Sequence, residues 1–267
     1  LPGESCDGIA VASSGEDVLL DGAAQSVYPA IRWFDTRTEA IASAWEPFGR
    51  ERIYRITGIN PNPVASITKM QWIKRYVPEA WERARLWIPI AGFISLKLTG
   101  TARAPWTNAC RSMAFDLNRR DWSEEILAEA GIERSLLVEP IRPGEQIGAL
   151  TAAAAAATGL KEGTPVFAGG VDYACGTFAT GIIRPGQMLD STGTSEQLLA
   201  ILDAPEISSA SMEKNFTSVA YVVNDAYYIM GMIVASGGIF EWFKNTFACE
   251  SFDLLVDEAA REPIGAR

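Results

Sequence analysis

T-P-V-F-A-G-G-V-D-Y-A-C-G-T-F-A-T-G, Thr164 to Gly181, runs through the joint I-I-R-P-G into Q-M-L-D-S-T-G-T-S-E-Q, which ends at Gln197. The opening reads as a buried strand over Pro165–Ala168, then two glycines, one acid and a run of small residues that starts a helix. Asp172 therefore falls at the carboxyl end of a strand, where open α/β sheets bind ligands. Beyond the joint, two apolar arms flank a hydroxyl-rich turn, Ser191–Ser195. Such a turn offers N–H groups and hydroxyls to an oxyanion, and Gly193 lets the backbone come close to it. A carboxylate able to take a proton and a bend able to hold a phosphate thus share one stretch. The bland alternative is that Asp172 caps the helix and the bend is an ordinary turn.

Composition narrows the chemistry. Of 267 residues, 48% are hydrophobic, enough for the packed core of one large domain or two. A formal charge of −10 argues against a nucleic-acid partner, although an acidic protein can still bind a nucleotide through local amides and Mg²⁺. Histidine is absent, which removes Ser-His and Cys-His nucleophile schemes and histidine metal sites. Cys6, Cys110, Cys175 and Cys249 form no C-x-x-C pair, so a reducing cytoplasm suits the chain better than a disulfide framework. No stretch approaches the ~18 apolar residues that span a bilayer, and the amino end is no signal peptide, so no membrane partner is expected. A Rossmann dehydrogenase would need G-x-G-x-x-G after a strand, and a Walker-type kinase G-x-x-x-x-G-K-[ST]; neither is present.

Gly8–Ser13 and Asp17–Leu20 are apolar runs across Ser14-Gly15-Glu16 and predict a hairpin. Thr38–Ala44 and Ser66–Arg83 predict helices, the second with Ser66 as its N-cap and Ile67, Met70, Ile73 and Val77 on one face. Leu86–Thr99 predicts a buried segment that turns helical after Pro89 and stops at Gly100. Ser123 and Gly131 bracket another helix, and the alanine run before Gly159 a close-packed one. Gln187–Asp190 with Gln197–Leu202, and Phe216–Val223 with Ala226–Val234, predict two hairpins, the second turning on Asn224-Asp225. Ser236-Gly237-Gly238 opens an amphipathic helix whose start suits an anion or nucleotide. The joint at 183/184 is read as the domain boundary.

The order G-G-x-D, A-x-G at a helix start, a P-G joint and an S/T-x-G-T-S hairpin resembles the FGGY family of carbohydrate kinases, which includes xylulose, glycerol, ribulose and fuculose kinases. Two further segments agree. Trp33, Asp35 and Arg37 match a W-x-D-x-R segment that ends a strand beside the sugar pocket in that family. Thr107, Asn108, Ala109 and Arg111 match its T-N-A-S-R segment, with Cys110 for the usual Ser. The resemblance covers most of the chain and implies an α/β architecture of RNase H-like, actin/hexokinase-type domains with mixed sheets flanked by helices. It implies residues 1–183 as an N-terminal domain lacking its first phosphate-loop hairpin, and 184–267 as the start of a second domain.

The same resemblance implies transfer of the ATP γ-phosphoryl to a ketose or polyol hydroxyl, with ATP and Mg²⁺ as cofactors and a small sugar or polyol as partner. Asp172 would be the general base and the one carboxylate near Mg-ATP. Trp33, Trp106, Tyr173 and Gln197 would face the sugar, Tyr173 standing where many relatives carry Asn or Gln. Thr192, Gly193 and Thr194 would face the β- and γ-phosphates, and Gly237 and Glu241 the nucleotide; glycerol kinases have Gln at the last of these. The bland readings are that Asp35 and Arg37 form a local ion pair capping the next helix, with Trp33 and Trp106 in the core. The family's D-x-G-T loop and its adenine-holding segment find no match, so the chain alone is expected to be inactive. A different class, a non-catalytic sugar-binding or regulatory protein on this scaffold, would share the sugar residues. A homodimer is one assembly such a chain could form.

Overall fold

The computed structural model describes residues 6–193, 195–233, 235–247 and 251–265. Strands β1 (Ile9–Ser13) and β2 (Asp17–Leu20) form where the apolar runs lie. Helices α1 (Glu39–Ser43), α2 (Arg50–Thr57), α3 (Ser66–Tyr76) and α4 (Pro78–Arg83) follow, then β3 (Leu86–Pro89) and α5 (Ile90–Thr99). The two-residue strands β4 (Ala104–Pro105), β5 (Phe115–Asp116), β6 (Asp121–Trp122) and β7 (Pro140–Ile141) frame α6 (Trp106–Cys110) and α7 (Glu124–Ala130). Next come β8 (Gln146–Ala149), α8 (Ala152–Thr158), β9 (Pro165–Val171) and α9 (Asp172–Ala179). The last part holds β10 (Met188–Thr192), β11 (Glu196–Leu202), α10 (Ser209–Glu213), β12 (Thr217–Ala220), β13 (Tyr227–Ile233), α11 (Gly237–Thr246) and α12 (Phe252–Ala259).

The first two strands do not pair with each other, contrary to the hairpin expected. β1 joins a three-stranded sheet in the order β1-β9-β8, parallel to β9, while β2 pairs antiparallel with β3. Three residues between apolar runs are a hairpin signal only when nothing else bids for the edges. Here β9 and β3, both distant in sequence, do. The two later hairpins form as expected and merge into one four-stranded sheet, β10-β11-β13-β12. Asn224 and Asp225 at the second turn have φ of 59° and 53°, the left-handed pair that a tight hairpin needs and that Asn and Asp tolerate.

The expected long helix over Ser66–Arg83 is two helices. Pro78 stands first in α4, and the residue before a proline is pushed out of helical geometry, which is what Val77 shows at φ −137°, ψ 57°. Nor is Ser66 the cap. Ala65 holds that position in extended geometry, and the Asn62 side-chain oxygen accepts from Val64 and Ala65 N–H at 2.9 and 3.0 Å. The first helical N–H groups, of Ser66 and Ile67, donate to the carbonyls of Arg111 and Ser112. Ser123 caps α7 and Gly131 ends it in the left-handed region, as its sequence predicts. No helix among the described residues is long and apolar enough to cross a membrane.

One apolar cluster runs from Leu19, Leu20 and Ile88 through Ile53, Phe115 and Trp122 to Leu199, Ile201 and Tyr228, and so joins side chains before and after the 183/184 joint. The tightest point of that junction is Gly58. It ends α2 at φ +68°, its carbonyl accepts from Ser218 N–H at 2.9 Å, and a Cβ on it would lie 1.7 Å from the Ser218 carbonyl oxygen.

Beneath the start of β2 two ionisable side chains are buried, Asp17 and Lys69, 6% and 2% exposed. Burial pushes Asp17 from its ordinary 3.8 up to about 6 against the pull of Lys69, and burial brings Lys69 down from 10.5 to about 8. Lys69 Nζ donates to the carbonyls of Ile31 and Arg32, and a Glu16 carboxylate oxygen accepts from the Trp33 N–H at 3.1 Å. The loop carrying Trp33 is thus held from below by two charged side chains.

Two outcomes are expected. Gly58→Ala combines a left-handed backbone with a backbone clash and should cost roughly 2–4 kcal/mol in denaturant unfolding. Asp17 has a raised folded pKa, so its stabilising contribution is complete below pH 4 and is lost as pH rises through about 6. Lys69, depressed, contributes above its ordinary value and loses that as pH falls through about 8. Melting temperatures from pH 4 to 7 should therefore show the wild type gaining on Asp17→Asn as pH falls, by on the order of 2 kcal/mol. Parallel curves would mean that Asp17 titrates alike in folded and unfolded chains.

Candidate functional site

The site begins with backbone that cannot carry side chains. A Cβ at Gly169 would sit 2.2 Å from the Val11 carbonyl oxygen, and one at Gly170 would sit 2.5 Å from Thr107 Oγ1. The two glycines let β9 press against β1 on one side and α6 on the other. Val171 N–H then donates to Thr107 Oγ1 at 3.0 Å, and the chain turns straight into α9 with Asp172 as its first residue. Asp172 is exposed, and one of its oxygens accepts from Tyr173 N–H at 2.8 Å. It faces outward, at the mouth of a pocket.

That pocket has a volume of about 450 Å³. Ser14 and Gly15 of the β1–β2 connection, Trp33, Asn62 and Val64 form one side; Arg111, Asp172 and Tyr173 line it further, and Gln197, Asn215, Thr217, Met230 and Met232 come from the four-stranded sheet and the turn before β12. Asp172 is the one acidic and Arg111 the one basic residue of this lining. The mix of apolar surface with a few convergent polar groups is what a small polar ligand requires. Tyr173 and Tyr228 share a hydrogen bond of 2.7 Å between their hydroxyls, so α9 and β13 are fastened together behind Asp172. Burial raises Tyr228 well above the ordinary phenol value. For Arg111, burial works against the charge, but Tyr173, Tyr228 and Asp172 together outweigh it and raise its pKa. Burial also pushes the Cys110 thiol up to about 12, which removes it as a nucleophile.

Of the residues expected at a sugar, the structure brings Trp33, Asp172, Tyr173 and Gln197 to this one pocket. Trp33 is 41% exposed, which corrects its reading as a core residue, and the segment around it is turn, not the end of a strand. Asp35 and Arg37 form an ion pair at 2.7 Å, as the bland reading expected; α1 after it has no side-chain cap. Trp106 is not brought to the pocket. Its ring lies under the Arg120 guanidinium, 5.1 Å away, in a separate crevice with Phe115, Leu117 and Tyr227.

Of the residues expected at phosphates and nucleotide, none among the described residues lines this pocket, and the structure brings Gly193 and Gly237 into contact. Gly193 N–H donates to the Ser195 carbonyl at 2.8 Å, closing the bend, and the Gly193 carbonyl accepts from Gly237 N–H at 2.9 Å. Ser236 Oγ donates to Glu196 at 3.1 Å. The bend and the start of α11 are therefore one unit. Thr192 is exposed, its hydroxyl donating to Asp190, and Glu241 is exposed one turn into α11. Thr194 lies outside the described residues. Among the described residues no group of three or more His, Cys, Asp or Glu could hold a metal ion, so Asp172 is the one carboxylate the pocket offers to a cation.

Arg111, Asn62, Asn215 and Thr217 are among the lining residues that the sequence did not assign to a site. Arg111 had a signal, its place in T-N-A-C-R. The others sit in loops or at a strand start, where no periodicity marks them. A larger, shallower groove of about 770 Å³ between α11 and α12 has Ile239, Phe240, Phe243 and Leu255 in its lining and carries none of the candidate residues.

The profile of the FGGY family of carbohydrate kinases, N-terminal domain, matches residues 1–179. The chain is 32% identical over 255 residues to a xylulose kinase of Bacillus subtilis, which covers 93% of this chain and 50% of that protein. It is 32% identical over 264 residues to an L-fuculokinase of Escherichia coli, covering 97% and 55%. Among solved structures, a xylulose kinase from Rhodospirillum rubrum superposes with a TM-score of 0.91 at 24% identity, over 98% of this chain and 54% of that one. A gluconate kinase from Lactobacillus acidophilus gives 0.89 at 24%, over 98% and 53%. The chain spans about half the length of the curated relatives it matches. Its mixed α/β sheets and helices are those of sugar kinases with the actin/hexokinase-like fold. By profile, by sequence and by fold, the chain belongs to the FGGY family of carbohydrate kinases.

Proposed function

We propose that these residues belong to an enzyme that transfers the γ-phosphoryl group of ATP to a hydroxyl of a ketose or polyol. The observation that carries this reading is the exposed Asp172 carboxylate at the rim of a pocket whose opposite side is the sheet bearing the Gly193 bend. In the reaction the substrate oxygen bonds to the γ-phosphorus as the bond to the β–γ bridging oxygen breaks. Asp172 takes the hydroxyl proton, and ADP leaves. Trp33, Tyr173 and Gln197 would hold the sugar so that one hydroxyl meets Asp172, most of the rate coming from that positioning.

Thr192, Gly193 and Thr194 would hold the β- and γ-phosphates, and Gly237 and Glu241 would border the nucleotide. The fit rests on the bend lying against the start of α11; because the Gly193 and Gly237 N–H groups are already given to the Ser195 and Gly193 carbonyls, the phosphates would meet the side-chain-free backbone of Gly193 and the remaining N–H groups of that helix N-terminus. Mg²⁺, arriving with ATP, supplies neutralisation of phosphate charge. We also place the domain boundary at 183/184 and the activity in the cytoplasm.

Asp172→Asn tests the assignment. In the full-length gene product, sugar-dependent ADP formation in a coupled assay should fall by at least about 10²-fold, with sugar binding by calorimetry and melting temperature close to wild type. Near-normal turnover in the variant would remove Asp172 as the base. Sugar binding without turnover in the wild type would favour a non-catalytic sugar-binding protein.

A further inference from the structure

Arg111 is a pocket-lining group whose bonding capacity the protein leaves partly unused. Its Nε is buried and has no hydrogen-bond partner, although the Tyr173 hydroxyl acts on another part of the guanidinium, and among the described residues no carboxylate lies within ion-pair distance of it. The backbone there is tightly fixed. Arg111 N–H donates to the Asn108 carbonyl at 3.0 Å, and the Arg111 carbonyl accepts from Ser66 at the start of α3.

The side chain is also confined. A Cβ on Gly15 would fall 2.8 Å from Arg111 Nε, 3.4 Å from Cγ and 3.6 Å from Cβ. On the other side the guanidinium carbon stands 6.0 Å from the centre of the Tyr173 ring, next to Asp172. The side chain is thus held between a bare backbone segment and an aromatic ring, both of which line the same pocket. A buried donor without an acceptor is costly, and native proteins rarely keep one that nothing uses.

We propose that Arg111 is a specificity-determining residue that donates to a sugar oxygen other than the one receiving the phosphoryl group, and that Gly15 is the position that keeps the guanidinium seated. The inference rests on the sugar-kinase reading of the pocket. A guanidinium has donors and no acceptor, so it selects ligands that present an acceptor oxygen at that depth. Position 15 acts by being empty: its backbone is in ordinary territory, so alanine there is allowed conformationally and displaces the arginine without removing its charge.

The test is calorimetric titration of the chain with D-xylulose, xylitol, L-fuculose and D-gluconate. The proteins are the wild type, Arg111→Met, Gly15→Ala and Asp172→Asn, with folding checked by circular dichroism. For the sugar that the wild type binds best, both Arg111→Met and Gly15→Ala should weaken binding roughly ten-fold or more. In the full-length gene product the same two variants should raise KM by that factor and change kcat less. If Arg111→Met does not fold, Gly15→Ala carries the test alone. Folded variants that bind every probe within two-fold of wild type would overturn the role of Arg111 and leave the kinase reading standing. A wild type that binds none of the four would overturn both.

Discussion

The structure depends on how closely one strand can approach its neighbours. Gly169 and Gly170 let β9 lie against β1 and α6 with no side chain between them, and the distances leave no room for even a methyl group. Because of that contact, β9 ends where α9 must begin, and the first helical residue is delivered to the surface as an exposed carboxylate. The glycines matter less as flexible joints than as absent side chains. A carboxylate set on a strand end is fixed by the sheet beneath it, and the role proposed for Asp172 as proton acceptor would need that rigidity.

The second part of the chain is held to the first by a small number of specific contacts over a continuous apolar core. Gly58 and Ser218 meet backbone to backbone, Tyr173 and Tyr228 hydroxyl to hydroxyl, and Asn60 donates to Met212 and Asn215 across the same junction. These contacts place the four-stranded sheet opposite Asp172 and so create the pocket between them. The bend at Gly193 is tied in turn to the start of α11. A chain of contacts therefore runs from the paired glycines to the helix start. Belonging to a family of carbohydrate kinases gives that arrangement its chemical sense.

Much of this was legible in the sequence, for reasons that can be named. The strand-glycine-glycine-acid-helix order around Asp172 is a local pattern, and local patterns survive folding. So do Ser123 and Gly131 at the ends of α7, and the left-handed pair Asn224-Asp225. What failed depended on partners far away. The Ser14-Gly15-Glu16 turn looked like a hairpin because β9 and β3, the real partners of β1 and β2, lie many residues on. Trp33 and Trp106 each admit a sugar-facing and a core reading, and only the fold separates them: Trp33 lines the pocket as a sugar contact would, while Trp106 packs under Arg120, because an indole looks the same in sequence whichever side it presents. Asn62 and Asn215 come together only because loops from the two parts of the chain converge, and no spacing announces that.

The most direct measurement is a crystal structure with D-xylulose and a non-hydrolysable ATP analogue bound. The account predicts a sugar hydroxyl oxygen within hydrogen-bonding distance of the Asp172 carboxylate, with the terminal phosphate beyond it on the Gly193 side. A sugar lodged instead in the groove between α11 and α12, or lying in the pocket with every hydroxyl out of reach of Asp172, would contradict it.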